Sequence, residues 1–185
     1  YYRQIALFLL ARLFFIDGLN TMFAFGAIYA AAVFSFGSGE IFQFAIALNV
    51  SAGLGAVAMG YLDDRLGSKS TILISLSGLL VFGMPLLIVE SKLWFWLLAV
   101  PLGLFMGPTQ AASRTMMARL APHGMKAEMF GLFAFSGKIT AFLGPAAYAW
   151  FTEIFQTQRA GMATIFVFIV AGAALLLLVR EPARG

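Results

Sequence analysis

Six apolar runs of membrane-crossing length, parted by short polar clusters, constrain this chain more than any other feature. A helix needs roughly 20 consecutive apolar residues to cross the hydrocarbon layer of a bilayer. The runs cover Ile5–Phe34, Ile41–Leu62, Thr71–Val89, Leu93–Ala118, Met129–Phe151 and Gly161–Val179. None alternates apolar and polar residues with period two, so barrel strands are not expected. In lipid every backbone amide must find its partner within the chain, and a helix meets that demand segment by segment. The expected fold is an all-α membrane protein, a six-transmembrane-helix bundle spanning residues 1–185. The first run is too long for a signal-peptide core and lacks a small-residue cleavage site, so it counts as a span.

Composition supports this reading. Only 11% of the residues are charged, against about 25% in a soluble domain, which is too little polar material to cover a wet surface. The 20 Phe and 9 Met suit lipid-facing and loosely packed helix surfaces. With no cysteine, disulfides, thiol catalysis and Cys-ligated metals are excluded. The net charge of +4 comes from basic residues scattered singly between apolar runs, so it points to topology and not to nucleic-acid binding.

The links between runs are short: 35–40, 63–70, 90–92, 119–128 and 152–159. They hold successive helices antiparallel. One side then collects Arg3, Arg65, Lys69, Arg119, Lys126, Arg180 and Arg184, while the other holds only Lys92 and Arg159. By the positive-inside rule the richer side, with both chain ends, is expected to be cytoplasmic. His123 falls in this basic loop between Pro122 and Gly124 and reads as a solvated residue.

Small residues mark where helices approach closely, because removing Cβ lets backbones pack where water supplies no drive. The second span carries Ser51, Gly53, Gly55 and Gly60, and the fourth carries Gly103 and Gly107. Pro101 and Pro108 in the fourth span and Pro145 in the fifth remove backbone donors and favour kinks. Such kinks either shape the bundle or line a cavity.

Ionisable groups within a span cost about 2.5–3.5 kcal/mol on insertion scales, so each is a functional suspect. Asp17 lies near the middle of the first span, and Asn20 and Thr21 follow at i+3 and i+4 as one polar stripe. Lys138 lies at similar depth in the fifth span. Asp17 and Lys138 either pair or face a water-filled path. Arg12, nearer the end of its span, can snorkel. Gln110 and Arg114 share one face of the fourth span, where Arg114 reads as a latch to the carboxylates between spans two and three or as a substrate contact. Asn49 bonds a neighbouring helix or a substrate. No nucleophile–base arrangement, phosphate loop or metal-ligand cluster is present in the sequence, so an enzyme is not expected and no cofactor is implied.

The link Gly60-Tyr61-Leu62-Asp63-Asp64-Arg65-Leu66-Gly67-Ser68-Lys69 resembles the cytoplasmic signature between helices 2 and 3 of major facilitator superfamily transporters. Gly60 there permits close packing, Gly67 a tight turn, and the charges a gate that closes and releases. Nearly the whole chain is also similar to the family of the autophagy-related vacuolar amino-acid effluxer and its bacterial relatives. The likeness is carried by Asp17-Gly18-Leu19-Asn20-Thr21, Gln110-Ala111-Ala112-Ser113-Arg114, Phe130-Gly131, Ser136-Gly137-Lys138 and Gly144-Pro145. It is to the second half of that family's twelve-helix chain.

The resemblance implies a secondary transporter, symporter or antiporter, in a bacterial inner membrane. Lys138 would attract an anionic group such as a substrate carboxylate, and Asp17 would pair with Lys138 or carry a coupling proton. Asn20, Thr21, Asn49 and Gln110 would contact a small-molecule substrate, and Asp63, Asp64, Arg65, Lys69 and Arg114 would form the gate. The chain starts at Tyr1, not Met, so it is expected to be a natural half or a piece of a longer protein. Alternating access needs two bundles, so besides membrane lipid the expected partner is a second six-helix half, from a copy of itself or a separate chain. Two other readings stay open: a non-transporting membrane subunit or assembly factor, and a lipid flippase.

Overall fold

The computed structural model describes residues 2–122 and 124–180; His123 and Arg184 lie outside the described residues. Among these residues the chain forms α1 (Tyr2–Phe34), α2 (Ser38–Leu66), α3 (Ser68–Gly83), α4 (Lys92–Leu120), α5 (Lys126–Ile139), α6 (Leu143–Phe155) and α7 (Gln158–Leu177). A short 3-10 turn, Met84–Leu87, prolongs α3. Counting α3 with its 3-10 turn and α5 with α6 as one span each, 6 segments are long and apolar enough to cross a membrane. The expected six-helix bundle is therefore present.

The helices outrun the apolar runs at several ends. α2 continues through Asp63, Asp64 and Arg65 to Leu66, and α5 starts at Lys126. Hydropathy marks only the part of a helix that sits in hydrocarbon, whereas the i→i−4 ladder continues into water for as long as it is favourable. What separates α2 from α3 is thus one residue, Gly67, whose φ of 93° is open to glycine at little cost.

Packing is organised by two long contacts, α1 along α7 and α2 along α4, with α3 against α4 and α6 against α7. The small residues of α2 and α4 explain the second contact in part. A Cβ on Gly55 would run into the backbone of Leu104, and one on Gly107 into the carbonyl of Ala52. Ser51 Oγ donates to the Val100 carbonyl at 2.6 Å, just ahead of Pro101. Gly53 and Gly60 differ from expectation: a Cβ on either would meet nothing within 4 Å. Neither glycine is needed for a close helix approach, and Gly60 borders a small cavity shared with Pro108, Ala111 and Ala112 of α4. Both α2 and the fifth span (α5–α6) are the least covered by neighbours, and α1 is the most enclosed.

The fifth span departs most from expectation. It is a broken helix, interrupted at 140–142, where a continuous helix kinked at Pro145 was expected. Pro145 sits in the first turn of α6, where backbone N–H groups have no intrahelical partner and a missing donor costs nothing. Gly144-Pro145 is therefore a helix start.

The two described ends of the chain lie together, with Arg180 N donating to Gln4 Oε1 at 2.8 Å, as an even number of spans requires. At the other end of the bundle, Arg159 donates to the carbonyls of Leu87 (2.8 Å) and Val89 (2.9 Å), satisfying acceptors released after the 3-10 turn. Lys92 and Glu40 pair nearby at 2.7 Å, and Phe34, Phe36, Phe44 and Phe95 form an aromatic cluster under them.

The close α2–α4 approach yields a paired test. Gly107→Ala is expected to lower unfolding stability in micelles by about 1–3 kcal/mol through overpacking. Gly53→Ala should be neutral or stabilising by up to about 1 kcal/mol through helix propensity. Equal effects in thermal unfolding would mean that the helices do not meet at Gly107.

Candidate functional site

A cleft of about 470 Å³ opens between α1, α4 and α5. Each helix contributes a stripe at helical spacing: Arg12, Ile16 and Asn20 from α1, Gln110 and Arg114 from α4, and Phe130, Ala134 and Lys138 from α5. Residues four apart lie one above another on a helix, which is why three short sequence patterns converge on one space. By the rise of a helix, Arg12 is about 15 Å along α1, Arg114 about 9 Å from the end of α4 and Lys138 about 18 Å along α5. The cleft therefore occupies the half of the bundle nearer the chain ends. Among the described residues no acidic side chain lines it.

Arg12 is the most firmly held of the cleft residues. It is buried, and its Nη1 donates to the Phe133 carbonyl at 2.8 Å and to Ser136 Oγ at 3.0 Å. The guanidinium carbon sits 3.5 Å from the Phe133 ring centroid, a cation–π contact that strengthens away from water. Its Nε is buried without a partner. A Cβ on Gly137 would come within 2.9 Å of Arg12 Nη1, so the glycine makes room for this seat. Arg12 therefore does not snorkel to the membrane surface; the pull of a fixed ring and carbonyl on α5 outweighs the reach to water. Arg114 and Lys138 are exposed within the cleft, with their charges facing it unscreened by carboxylate.

The predicted stripe on α1 is split. Asn20 opens to the cleft, whereas Asp17 and Thr21 are 1% exposed and turn toward α6. At about 100° per residue, Asn20 and Thr21 point about 100° apart, so i+3 and i+4 neighbours of one residue straddle a helix edge. Asp17 does not pair with Lys138. Its Oδ2 accepts from Gly144 N at 2.7 Å, in the first turn of α6, while Oδ1 is buried without a partner. Thr21 Oγ1 donates to the Asp17 carbonyl at 2.8 Å, and a Cβ on Gly144 would collide with Thr21 Oγ1. A carboxylate at a helix N-terminus is favoured by the free N–H groups and the helix dipole. Asp17 thus holds the start of α6 in place across the break.

Asn49 lies outside the cleft, exposed on α2, and donates to the Ala45 carbonyl of its own helix at 2.8 Å.

The charged link between α2 and α3 is ordered by contacts that differ from those expected. Asp63 is buried; its Oδ1 accepts from Ser68 Oγ at 2.7 Å and lies 3.7 Å from Arg119 Nη1. Arg119, not Arg114, is the cation of α4 that meets this carboxylate, because five residues along a helix turn the side chain through more than a quarter circle. Lys69 Nζ donates to the carbonyls of Leu177 (2.8 Å) and Val179 (2.6 Å). A lysine there satisfies the open acceptors at the end of α7. Gly67 N donates to the Asp63 carbonyl at 3.0 Å, and Asp64 and Arg65 are exposed beside it. Reading the sequence missed Arg12 and Arg119 as site and link residues. The i, i+4, i+8 register of Arg12, Ile16 and Asn20 was the available signal for the first.

Six apolar spans, the fifth of them broken, and a cationic cleft between α1, α4 and α5 define a polytopic membrane protein. Residues 1–183 match the family described as "Vacuole effluxer Atg22 like", and the chain belongs to that family. It is 27% identical over 180 residues to the "Uncharacterized MFS-type transporter YxiO" of Bacillus subtilis, covering 97% of this chain and 42% of that protein. It is 28% identical over 186 residues to "Autophagy-related protein 22" of Cryptococcus neoformans, covering 92% of this chain and 33% of that one. The protein of the same name from Kluyveromyces lactis is 24% identical over 179 residues, 91% of this chain and 36% of its own length. The chain thus spans less than half the length of these curated relatives.

The contact at Asp17 gives a direct test. Asp17→Ala should cost about 1–2 kcal/mol of stability, as loss of a helix cap does, while Lys138→Ala should leave unfolding within about 0.5 kcal/mol of the parent. Equal losses in both variants would restore an Asp17–Lys138 pair.

Proposed function

We propose that this chain is one six-helix half of a secondary active transporter that moves a small solute, amino-acid-like or otherwise carrying an anionic group, by alternating access. The observation that carries this reading is the cleft in which Arg12, Arg114 and Lys138 from three helices converge with Asn20 and Gln110. Charges within a span are retained where they meet a substrate, an ion or a water path. Membership of a family whose relatives include an MFS-type transporter supports the same reading.

In this scheme Lys138 and Arg114 attract the anionic group, and Asn20 and Gln110 orient the solute. Asp17 acts from behind the cleft. Protonation of its carboxylate would remove the charge that α6 is seated on, so a coupling proton there would loosen the start of α6 while α5 stays bound to Arg12. Asp63, Ser68, Arg119 and Gly67 hold the α2–α3 link at one end of the bundle, where they form the gate together with Asp64 and Arg65. A second six-helix half, from a copy of the chain or a separate segment, would pack on the open faces of α2 and α5–α6 and complete the cavity. Thr21 and Gly144 are packing partners of Asp17 in this scheme and Asn49 faces the second half. The excess of Lys and Arg on one side of the bundle supports cytoplasmic chain ends, and the likeness to a Bacillus subtilis protein supports a bacterial inner membrane.

The test is uptake by the intact protein in proteoliposomes. Lys138→Ala is expected to weaken substrate affinity about 10- to 100-fold, the value of a lost charge-assisted contact, and Asp17→Asn to abolish dependence on a proton gradient. Unchanged flux in both variants removes these residues from the mechanism. Absence of flux together with a stoichiometric foreign partner would favour a non-transporting subunit.

A further inference from the structure

We propose that the break in the fifth span is a binding site for a small monovalent cation, sodium by size, held by Asp17 Oδ1 and Thr140 Oγ1. Asp17 is 1% exposed, and its two carboxylate oxygens differ. Oδ2 accepts from Gly144 N at 2.7 Å, whereas Oδ1 is buried without a partner. Thr140, in the turn between α5 and α6, has its Oγ1 buried without a partner as well. Both atoms are enclosed by this six-helix half alone, so the site stands apart from the cleft that a second half would complete.

The contacts along α1 bring these two residues to one level. Arg12 is bonded to Phe133 and Ser136 of α5, and Asp17 to Gly144 of α6, so α1 and the fifth span run side by side in the same direction. Thr140 lies midway between Ser136 and Gly144 and therefore at a height between Arg12 and Asp17. Cα–Cβ bonds tilt toward the start of a helix, so the Asp17 side chain leans toward that height.

A carboxylate in mid-span is costly unless a charge or hydrogen bonds compensate it. Gly144 N supplies one hydrogen bond, and among the described residues no cation pairs with Asp17. Arg12 is committed to α5. The groups left over at the break are oxygens. Besides Asp17 Oδ1 and Thr140 Oγ1, the Ala141 carbonyl gets no donor from Pro145 four residues on, because proline has no N–H. Unwound carbonyls and the C-terminal end of a half-helix are the groups by which broken membrane helices coordinate sodium. Oxygen ligands suit a hard cation, and a single carboxylate matches a single positive charge. Crowding sets the size. A Cβ on Gly144 would collide with Thr21 Oγ1 and come within 3.2 Å of the Asp17 carbonyl, so the site favours an ion stripped of its water and smaller than potassium. In the proposed transport scheme this ion acts opposite to a proton: it keeps the carboxylate charged and Oδ2 on Gly144 N, so α6 stays seated.

The test is thermal unfolding of the intact protein in phosphatidylcholine nanodiscs at about pH 8, where a carboxylate is ionised. Sodium, potassium and choline chloride are compared at one ionic strength. Sodium should raise the midpoint by about 2–4 °C over choline, as a ligand held only by the folded state does, and potassium by less than half as much. Asp17→Asn should abolish the sodium shift. Thr140→Val should weaken the apparent sodium affinity about tenfold, as loss of one contact to a charge does, and Thr140→Ser should restore it. Thr140→Val keeps the side-chain shape and leaves the Gly144 contact intact, so it decides the matter if Asp17→Asn fails to fold. Equal midpoints in the three salts would mean that these oxygens hold water and would overturn the proposal. A sodium shift that survives in Thr140→Val overturns it too. Uptake in proteoliposomes then judges the transporter reading alone. A sodium shift without flux overturns that reading and keeps the site, while flux without a sodium shift overturns the site and keeps the transporter.

Discussion

In hydrocarbon an unpaired backbone N–H has no water to fall back on, and the broken fifth span is where this protein meets that constraint most sharply. Interrupting a helix frees amides at the new N-terminus, each of which would cost several kcal/mol if left in lipid. Asp17 answers one of them, at Gly144. The carboxylate and the amide each stabilise the other, since a charge in mid-span also needs a partner. Much else follows from that contact. Thr21 and Gly144 must pack without a Cβ between them, α6 is tied to α1, and α5 is left free to seat Arg12 on its own ring and carbonyl.

The break also separates two chemistries that the linear order of residues runs together. Behind it lies an acidic, enclosed contact between α1 and α6. In front of it lies an open cationic cleft shared by α1, α4 and α5. A continuous helix would have placed Lys138 and the Gly144 amide on one rigid rod. With the turn at 140–142 between them, the half that bears Lys138 and the half that Asp17 holds can respond to different events. In the proposed scheme, that separation would let a proton at Asp17 be coupled to an anion at Lys138 without the two groups touching.

Much of the fold was legible because hydropathy, loop length and charge bias report directly on the bilayer. Span number followed from the apolar runs, and the close approach of α2 to α4 followed from Ser51, Gly55, Gly103 and Gly107. The site was legible only in part. Asn20, Gln110, Arg114 and Lys138 do share one cleft, but the sequence reads Arg12 as a surface-seeking charge and Asp17 as either paired with Lys138 or facing a water-filled path. Hydropathy does not fix the rotation of a helix about its axis, and a rotation of about 60° moves a residue from cleft to packed face. The same ambiguity assigned Arg114 to a carboxylate that Arg119 meets.

What the sequence by itself determined is a membrane-embedded bundle of six spans with ionisable residues at Arg12, Asp17, Arg114 and Lys138 inside it. Those features depend on composition and spacing along one chain, and lipid admits few alternatives. Only the tertiary structure decided which of the charges meet. Whether Asp17 faces Lys138 or the amide of Gly144 depends on where the fifth span breaks and how α1 is turned. Both are set by packing against α5, α6 and α7, not by any local pattern of residues.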